Sequence, residues 1–310
     1  MVQQAIELRN VSKKRRRGKT IGPLDLNLPQ GYITALVGQN GSGKSTLLHM
    51  LLQLTFPDEG EIRWLGQPYP DGLPLSLRQR IAYVPETSEM EEKFWSAGEA
   101  AEFRRHWYPD WDQGYFEELL AKFDVPQGAK LGKMSKGERR KFEIAAALAP
   151  RPQLLLLDEP SSGLDPFAWK AMVETLRKYM DATGATVVIS THIIEEVRRL
   201  ADYIVLMHQG SLLGMAEKDS LFGSWSELWV QVENEEELRE LAGELPGALH
   251  FDMQTPGVAS LITPQAQQNE KRIQDLGVKV IKSRMLELDE ILSLWTQGHR
   301  PILIDQERGD

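Results

Sequence analysis

Cysteine is absent from the chain. That excludes disulfide scaffolding, thiolate catalysis and thiolate metal sites, and it fits a reducing compartment. Long apolar runs are absent too. No stretch approaches the ~20 residues that a membrane-spanning helix needs, and the first residues lack a signal peptide's apolar segment. The chain reads as soluble by itself. Positive charge is in the minority, with 36 Lys+Arg against 45 Asp+Glu and a formal net charge of −9. A general nucleic-acid binder carries a basic face, so no nucleic-acid partner is expected. One basic run, Lys13-Lys14-Arg15-Arg16-Arg17-Gly18-Lys19, stands out against that background. It reads first as a solvated loop and second as a phosphate- or lipid-facing segment. With 41 % apolar residues over 310 positions, the chain is globular and long enough for two domains.

Against these absences stands Gly38-Gln39-Asn40-Gly41-Ser42-Gly43-Lys44-Ser45, set between the apolar run Ile33 to Val37 and a Leu-rich segment from Leu47. This is G-x-x-x-x-G-K-S after a strand and before a helix, the context of a phosphate-binding loop. Gly38, Gly41 and Gly43 let the backbone wrap a polyphosphate, so that N–H groups from Asn40 to Thr46 can point at it. The positive end of the following helix faces the same anion. Lys44 can reach the β- and γ-phosphates, and the Ser45 hydroxyl can ligate Mg²⁺. The expected nucleotide-side residues are therefore Gly38, Asn40, Gly41, Ser42, Gly43, Lys44, Ser45 and Thr46. A turn of this composition that binds nothing is the bland alternative.

The remaining pattern alternates strand and helix. Strands are expected near 4–9, at 24–28 where Leu24, Leu26 and Leu28 alternate with polar residues, and at 33–37, 61–65 and 80–85. The first helix is expected over Lys44 to about Leu54. From about Glu86 to Pro150 the spacing is helical. Leu154 to Leu157 is a continuous apolar run, as in a strand covered on both faces. Asp165-Pro166 is an N-cap followed by proline at the first helical position. That helix shows Phe167, Val173, Leu176 and Met180 at amphipathic spacing. Strands near 185–190, 203–207 and 212–215 complete an α/β core with a mostly parallel sheet. After about Trp225 the order β-α-β-β-α-β signals a ferredoxin-like unit, closed by a helix over about Glu287 to Trp295. The expected domains are 1–225, with a helical subdomain over about 86–150, then 226–300, and a tail at 301–310. The second domain shows no catalytic constellation and reads as a packing or dimer-supporting appendix, with regulation as the alternative.

Leu154-Leu155-Leu156-Leu157-Asp158-Glu159 is an apolar strand ending in two carboxylates. The first, Asp158, suits Mg²⁺; the second, Glu159, suits a base that polarises an attacking water. Ser135-Lys136-Gly137-Glu138 is locally a capping box, and its helix start is also an anion site. With Met134 ahead of it, the segment resembles, with changes, the L-S-G-G-Q signature of ATP-binding cassette (ABC) proteins.

The chain resembles the ATP-binding subunit of an ABC transporter over roughly residues 4–220. Gly38 to Ser45 is similar to Walker A, Leu154 to Glu159 to Walker B, Ser161-Ser162-Gly163-Leu164-Asp165 to the D-loop, and Thr191-His192 to the switch histidine. The resemblance implies a P-loop NTPase fold that hydrolyses ATP with Mg²⁺. It also implies a head-to-tail dimer, with each ATP held between Walker A of one subunit and Ser135, Gly137 and Glu138 of the other. His192 would contact the γ-phosphate. Three departures stand out. Glu86 follows Ala82-Tyr83-Val84-Pro85 where a metal-contacting glutamine is usual, as in exporter-like branches. Lys136 replaces the signature's first glycine, and Glu138 its glutamine. Arg17 precedes Gly18 where an adenine-stacking aromatic is usual; a guanidinium plane can stack on a base, with relaxed selectivity for ATP over GTP.

The implied partners are a separate transmembrane permease, met through the acidic Glu86 to Trp95 region, and a second copy or a sister subunit. The implied location is the inner face of the cell membrane, and the working cargo is a hydrophobic or amphipathic molecule for export. A non-transport ABC ATPase or an ATP-dependent regulatory or resistance protein is the alternative. A GTPase would show an N-K-x-D motif, which is missing.

Overall fold

The computed structural model describes residues 3–14, 20–87, 93–222, 224–245, 247–264 and 266–299. The chain divides into two compact units, Met1–Gly214 and Met215–Asp310. The division lies ahead of residue 225, where the sequence pattern put it, because it falls inside a strand that shows no break in composition.

In the first unit, β1 (Gln4–Lys14) and β2 (Thr20–Pro29) pair antiparallel. The alternation of Leu24, Leu26 and Leu28 works as expected, and all three are buried. β3 (Ile33–Val37) is buried along its whole length and leads into α1 (Lys44–Leu51). The helix stops three residues before the expected end. Gln53 takes a left-handed φ of 52°, which turns the chain out of the helix. β4 (Glu59–Trp64) pairs with β1, and β5 (Gln67–Pro68) with β4. These strands form a separate antiparallel sheet in the order β2-β1-β4-β5, a layer the sequence pattern does not separate from the parallel core.

After α2 (Leu75–Arg78), β6 (Ile81–Val84) enters that core. The helical stretch follows as α3 (Ala97–Arg105), α4 (Gln113–Lys122) and α5 (Lys136–Leu148). Buried Glu143 of α5 accepts from Arg104 of α3 at 2.8 Å and pairs with Arg139 at 2.7 Å, so a paired charge joins two helices. Then come β7 (Leu154–Asp158), α6 (Pro166–Thr183), β8 (Thr186–Thr191), α7 (Ile194–Leu200), β9 (Tyr203–His208) and β10 (Ser211–Glu217). Asp165 caps α6 with Pro166 at its first position, as the sequence predicts. Phe167 departs from expectation and is 86 % exposed. The buried face of α6 is Ala168, Met172, Val173, Leu176 and Tyr179, whose i, i+4 spacing leaves Phe167 outside the stripe.

Among the described residues the core sheet runs β10-β9-β3-β8-β7-β6. Strands β6, β7, β8, β3 and β9 are parallel neighbours. Val37 pairs with Thr191, and Asp158 with Ser190. The carboxyl ends of β3, β7 and β8 therefore emerge along one edge, where open α/β sheets place their ligands. No helix among the described residues is long and apolar enough to cross a membrane.

The second unit contains α8 (Lys218–Leu221), β11 (Trp225–Gln231), α9 (Glu235–Glu244), β12 (Leu249–Thr255), β13 (Val258–Pro264), α10 (Ala266–Asp275), β14 (Lys279–Met285) and α11 (Leu288–Thr296). Its sheet is antiparallel in the order β12-β13-β11-β14, the ferredoxin-like arrangement. Leu228, Val230, Leu238, Leu241, Leu261 and Ile273 form its apolar core.

Candidate active site

Two of the loop's features are steric. A Cβ on Gly38 would come within 2.2 Å of the Met207 carbonyl, so only glycine fits where β3 ends. Gly43 has φ of 115° and lies against Ile21, which admits no side chain. It also heads α1 without any side-chain cap, so the first-turn amides of Lys44, Ser45 and Thr46 are free to meet an anion. Ser42 Oγ is buried without a protein partner. Lys44 is buried as well, and its Nζ donates to the Gly38 carbonyl at 2.7 Å. Gln39, Asn40 and Gly41 form the exposed outer rim, beside a cavity of about 450 Å³ that Thr20, His208, Gln209 and Gly210 also line.

The carboxylates come from β7. Asp158 is buried and accepts a hydrogen bond from Ser190 Oγ of β8, which fixes its orientation. Glu159 has φ of 46°, a left-handed conformation that costs a non-glycine residue about 1–2 kcal/mol. Its N–H donates to the Ser190 carbonyl at 2.9 Å, and its own carbonyl accepts from Ser162 N–H at 3.0 Å. These bonds hold the strained turn that aims the carboxylate at the sheet edge. There Glu159 Oε2 lies 2.9 Å from His192 Nδ1, and Oε1 lies 3.7 Å from Lys44 Nζ. Three loops far apart in sequence thus meet at one carboxylate.

The start of α5 forms both halves of its capping box. Ser135 Oγ accepts from Glu138 N–H at 3.2 Å, and the Glu138 carboxylate accepts from Ser135 N–H at 2.7 Å. Ser135 holds that carboxylate below its ordinary pKa. Ionised, Glu138 is an acceptor, so a nucleotide contact from it reaches a hydroxyl and not a phosphate. Gly137 approaches backbone, though it is the protein's own: a Cβ there would lie 2.6 Å from the Gly163 carbonyl of the D-loop. Glu86 is exposed just beyond β6, and the parallel register of β6 with β7 brings it to the same edge as Asp158. Arg17 lies outside the described residues, as do Glu89, Glu91 and Glu92.

Two groups escape sequence reasoning. Arg140, buried on α5, donates to the Pro85 carbonyl at 2.6 Å and to the Glu86 carbonyl at 2.7 Å. It ties the loop bearing Glu86 to the signature helix, and burial lowers its pKa. Glu196 on α7 is buried and neither carboxyl oxygen completes a well-formed hydrogen bond. Burial raises its pKa, partly offset by the Ser161 and Thr191 hydroxyls nearby. Only the amphipathic pattern of α5 and α7 hinted that these positions face inward.

A glycine-cradled lysine, a strand-end carboxylate pair and a histidine just past the end of the next strand define a P-loop nucleotide-binding cassette. Residues 21–162 match the ABC transporter family model. The chain is 34 % identical over 223 residues to Nod factor export ATP-binding protein I of Burkholderia lata, covering 71 % of this chain and 73 % of that protein. It is 24 % identical over 299 residues to ABC transporter ATP-binding protein YtrB of Bacillus subtilis, covering 95 % and 99 %. Among solved structures, an ATP-binding subunit of an ABC transporter superposes with a TM-score of 0.63 at 29 % identity, covering 70 % of this chain and 91 % of that one. A dimeric post-hydrolysis state of the cassette MJ0796 bound to ADP and Pi gives 0.60 at 26 %, covering 68 % and 98 %. The chain belongs to the ABC transporter family as an ATP-binding, ATP-hydrolysing subunit of a transporter.

Proposed function

We propose that this subunit works as a head-to-tail pair, with itself or with a sister subunit, and drives a separate membrane permease in an exporter. The meeting of Lys44, Glu159 and His192 carries the reading. In it, Lys44 and the first amides of α1 take the phosphates, and Lys44 stabilises the charge that develops on the transferred group. Glu159 accepts the proton of the attacking water, and His192 orients the Glu159 carboxylate and the γ-phosphate. Ser135 and Gly137 of the opposing subunit close the site.

Ser45, Asp158 and Glu86 offer only hard oxygen donors, which fits Mg²⁺. The described residues hold no cluster of three or more His, Cys, Asp or Glu side chains suited to a metal; Mg²⁺ bound through one or two protein oxygens with phosphate and water needs none. When bound, the ion neutralises charge on the β- and γ-phosphates.

The export assignment is supported by the names of the Nod factor relatives. For the permease contact, the supporting feature is an exposed aromatic group beside the Glu86 loop. Phe94, Phe103 and Trp107 are 69 %, 48 % and 58 % exposed, and Trp95 packs edge-on to Phe103. Such a patch is apolar enough to dock on membrane-protein loops at the inner face of the membrane. Glu159→Gln tests the core of the reading. Turnover should fall by about a thousandfold, with ATP retained and a dimer visible by size-exclusion chromatography. Normal turnover would remove Glu159 from its role.

A further inference from the structure

Lys136 stands where the signature pattern has a glycine, and the reading above gives it no task. As the first residue of α5, its charge opposes the positive end of the helix. The side chain reaches instead across to the D-loop. Its Nζ donates to Ser162 Oγ at 2.6 Å. Its stem lies over Gly163, where an added Cβ would come within 2.7 Å of Lys136 Cγ. Gly163 has φ of 86°, and its carbonyl faces Gly137, so helix and loop meet backbone to backbone with the lysine strapped over the junction. Ser162 then passes the restraint on: its N–H donates to the Glu159 carbonyl at 3.0 Å. Two contacts therefore connect Lys136 to the strained residue whose carboxylate faces the phosphate loop.

We propose that Lys136 is a positioning residue for hydrolysis within its own subunit: it holds Ser162, and through Ser162 the turn that aims Glu159. A glycine at 136 has no such arm. The inference rests on Glu159 acting as the base. It makes the D-loop turn part of the catalytic geometry of the subunit that carries it, in addition to whatever the loop contacts across the seam.

The test is steady-state ATP hydrolysis by the full chain with Mg²⁺, paired with affinity for a fluorescent ATP analogue. Lys136→Gly and Ser162→Ala should each lower kcat about fivefold, the scale of one exposed charge-assisted hydrogen bond, with KM and affinity within about twofold. The double variant should be no slower than the worse single one, because both remove the same contact. Lys136→Arg, which can still donate to Ser162, should recover most of the rate. A wild-type kcat in Lys136→Gly overturns the proposal. So do additive losses in the double variant, or a raised KM with unchanged kcat, which would put the ammonium on a phosphate of the opposing site. Glu159→Gln in the same assay separates the two levels. If it turns over normally, the base assignment itself fails; if it is inactive while Lys136→Gly is unimpaired, only the role of Lys136 fails.

Discussion

The two units solve the problem of burying polar groups in opposite ways. Among the described residues, every buried charged side chain lies in the first unit: Lys44, Arg140, Glu143, Asp158, Glu159 and Glu196. The buried polar side chains of the second are Ser226, Ser260, Thr263 and Asn269, all neutral. Its charged network of Arg284 with Glu227 and Glu290 is partly exposed. Burying a charge is unfavourable unless it is paired and hydrogen-bonded. The first unit bears that penalty at Lys44, Asp158 and Glu159 around the glycine-rich loop and at Arg140, Glu143 and Glu196 on α5 and α7, and the C-terminal unit, built on apolar contacts, avoids it. The contrast teaches that a count of buried charges locates chemistry better than sheet architecture does, since both units are strands covered by helices.

The contrast can be broken first at Lys44. Lys44→Ala should weaken ATP binding by about a thousandfold, as expected for loss of charge-assisted contacts to phosphate. Isothermal calorimetry showing near-normal affinity would detach the buried lysine from nucleotide binding. In the second unit, Leu261→Ala in a fully buried position should destabilise that unit by about 2–4 kcal/mol. Calorimetry should show the loss in one melting transition, with ATP affinity unchanged; a matching loss of affinity would show that the apolar unit supports the site.

Glu196→Gln sharpens the comparison through pH. Its carboxyl pKa is raised by burial from an ordinary 4.5, so above that pH the unfolded chain releases a proton that the folded one keeps. Folding stability then falls as pH rises from the ordinary value to the raised one. Glutamine cannot ionise, so the variant should melt higher than the parent at pH 8 and alike at pH 4.5. Equal melting temperatures at pH 8 would mean that the buried carboxylate has a partner supplied in solution. The smallest effect is expected from Arg284→Ala, whose partly exposed ion pairs should contribute no more than about 1 kcal/mol. A larger shift in urea unfolding would give the second unit a polar contribution that the comparison denies it.

Much of the architecture was legible from local chemistry. Asp165-Pro166 announces the start of α6, and the run Leu154 to Leu157 announces a strand buried on both faces. The order of strands and helices after Trp225 leads directly to the observed topology. Phe167 was misplaced because spacing along a helix shows which residues can share a stripe but not which stripe faces the core. The antiparallel sheet of β1, β2, β4 and β5 was blurred into the parallel one because strand partners are chosen across loops. The roles of Arg140 and Lys136 were not legible because their partners stand 55 and 26 positions away along the chain, and Glu196 is buried without a hydrogen-bonded partner that a local pattern could announce.

By itself, then, the sequence determined the phosphate loop, the carboxylate pair at the end of β7, the capped helices and the family, because each is written in neighbouring residues whose backbone needs or charge are local. Tertiary structure alone decided that His192 and Lys44 meet at Glu159, that Gly137 makes room for the D-loop, and that Lys136 reaches Ser162. Those contacts join segments far apart along the chain. They depend on the register of parallel strands and the packing of helices against them, neither of which a local pattern encodes.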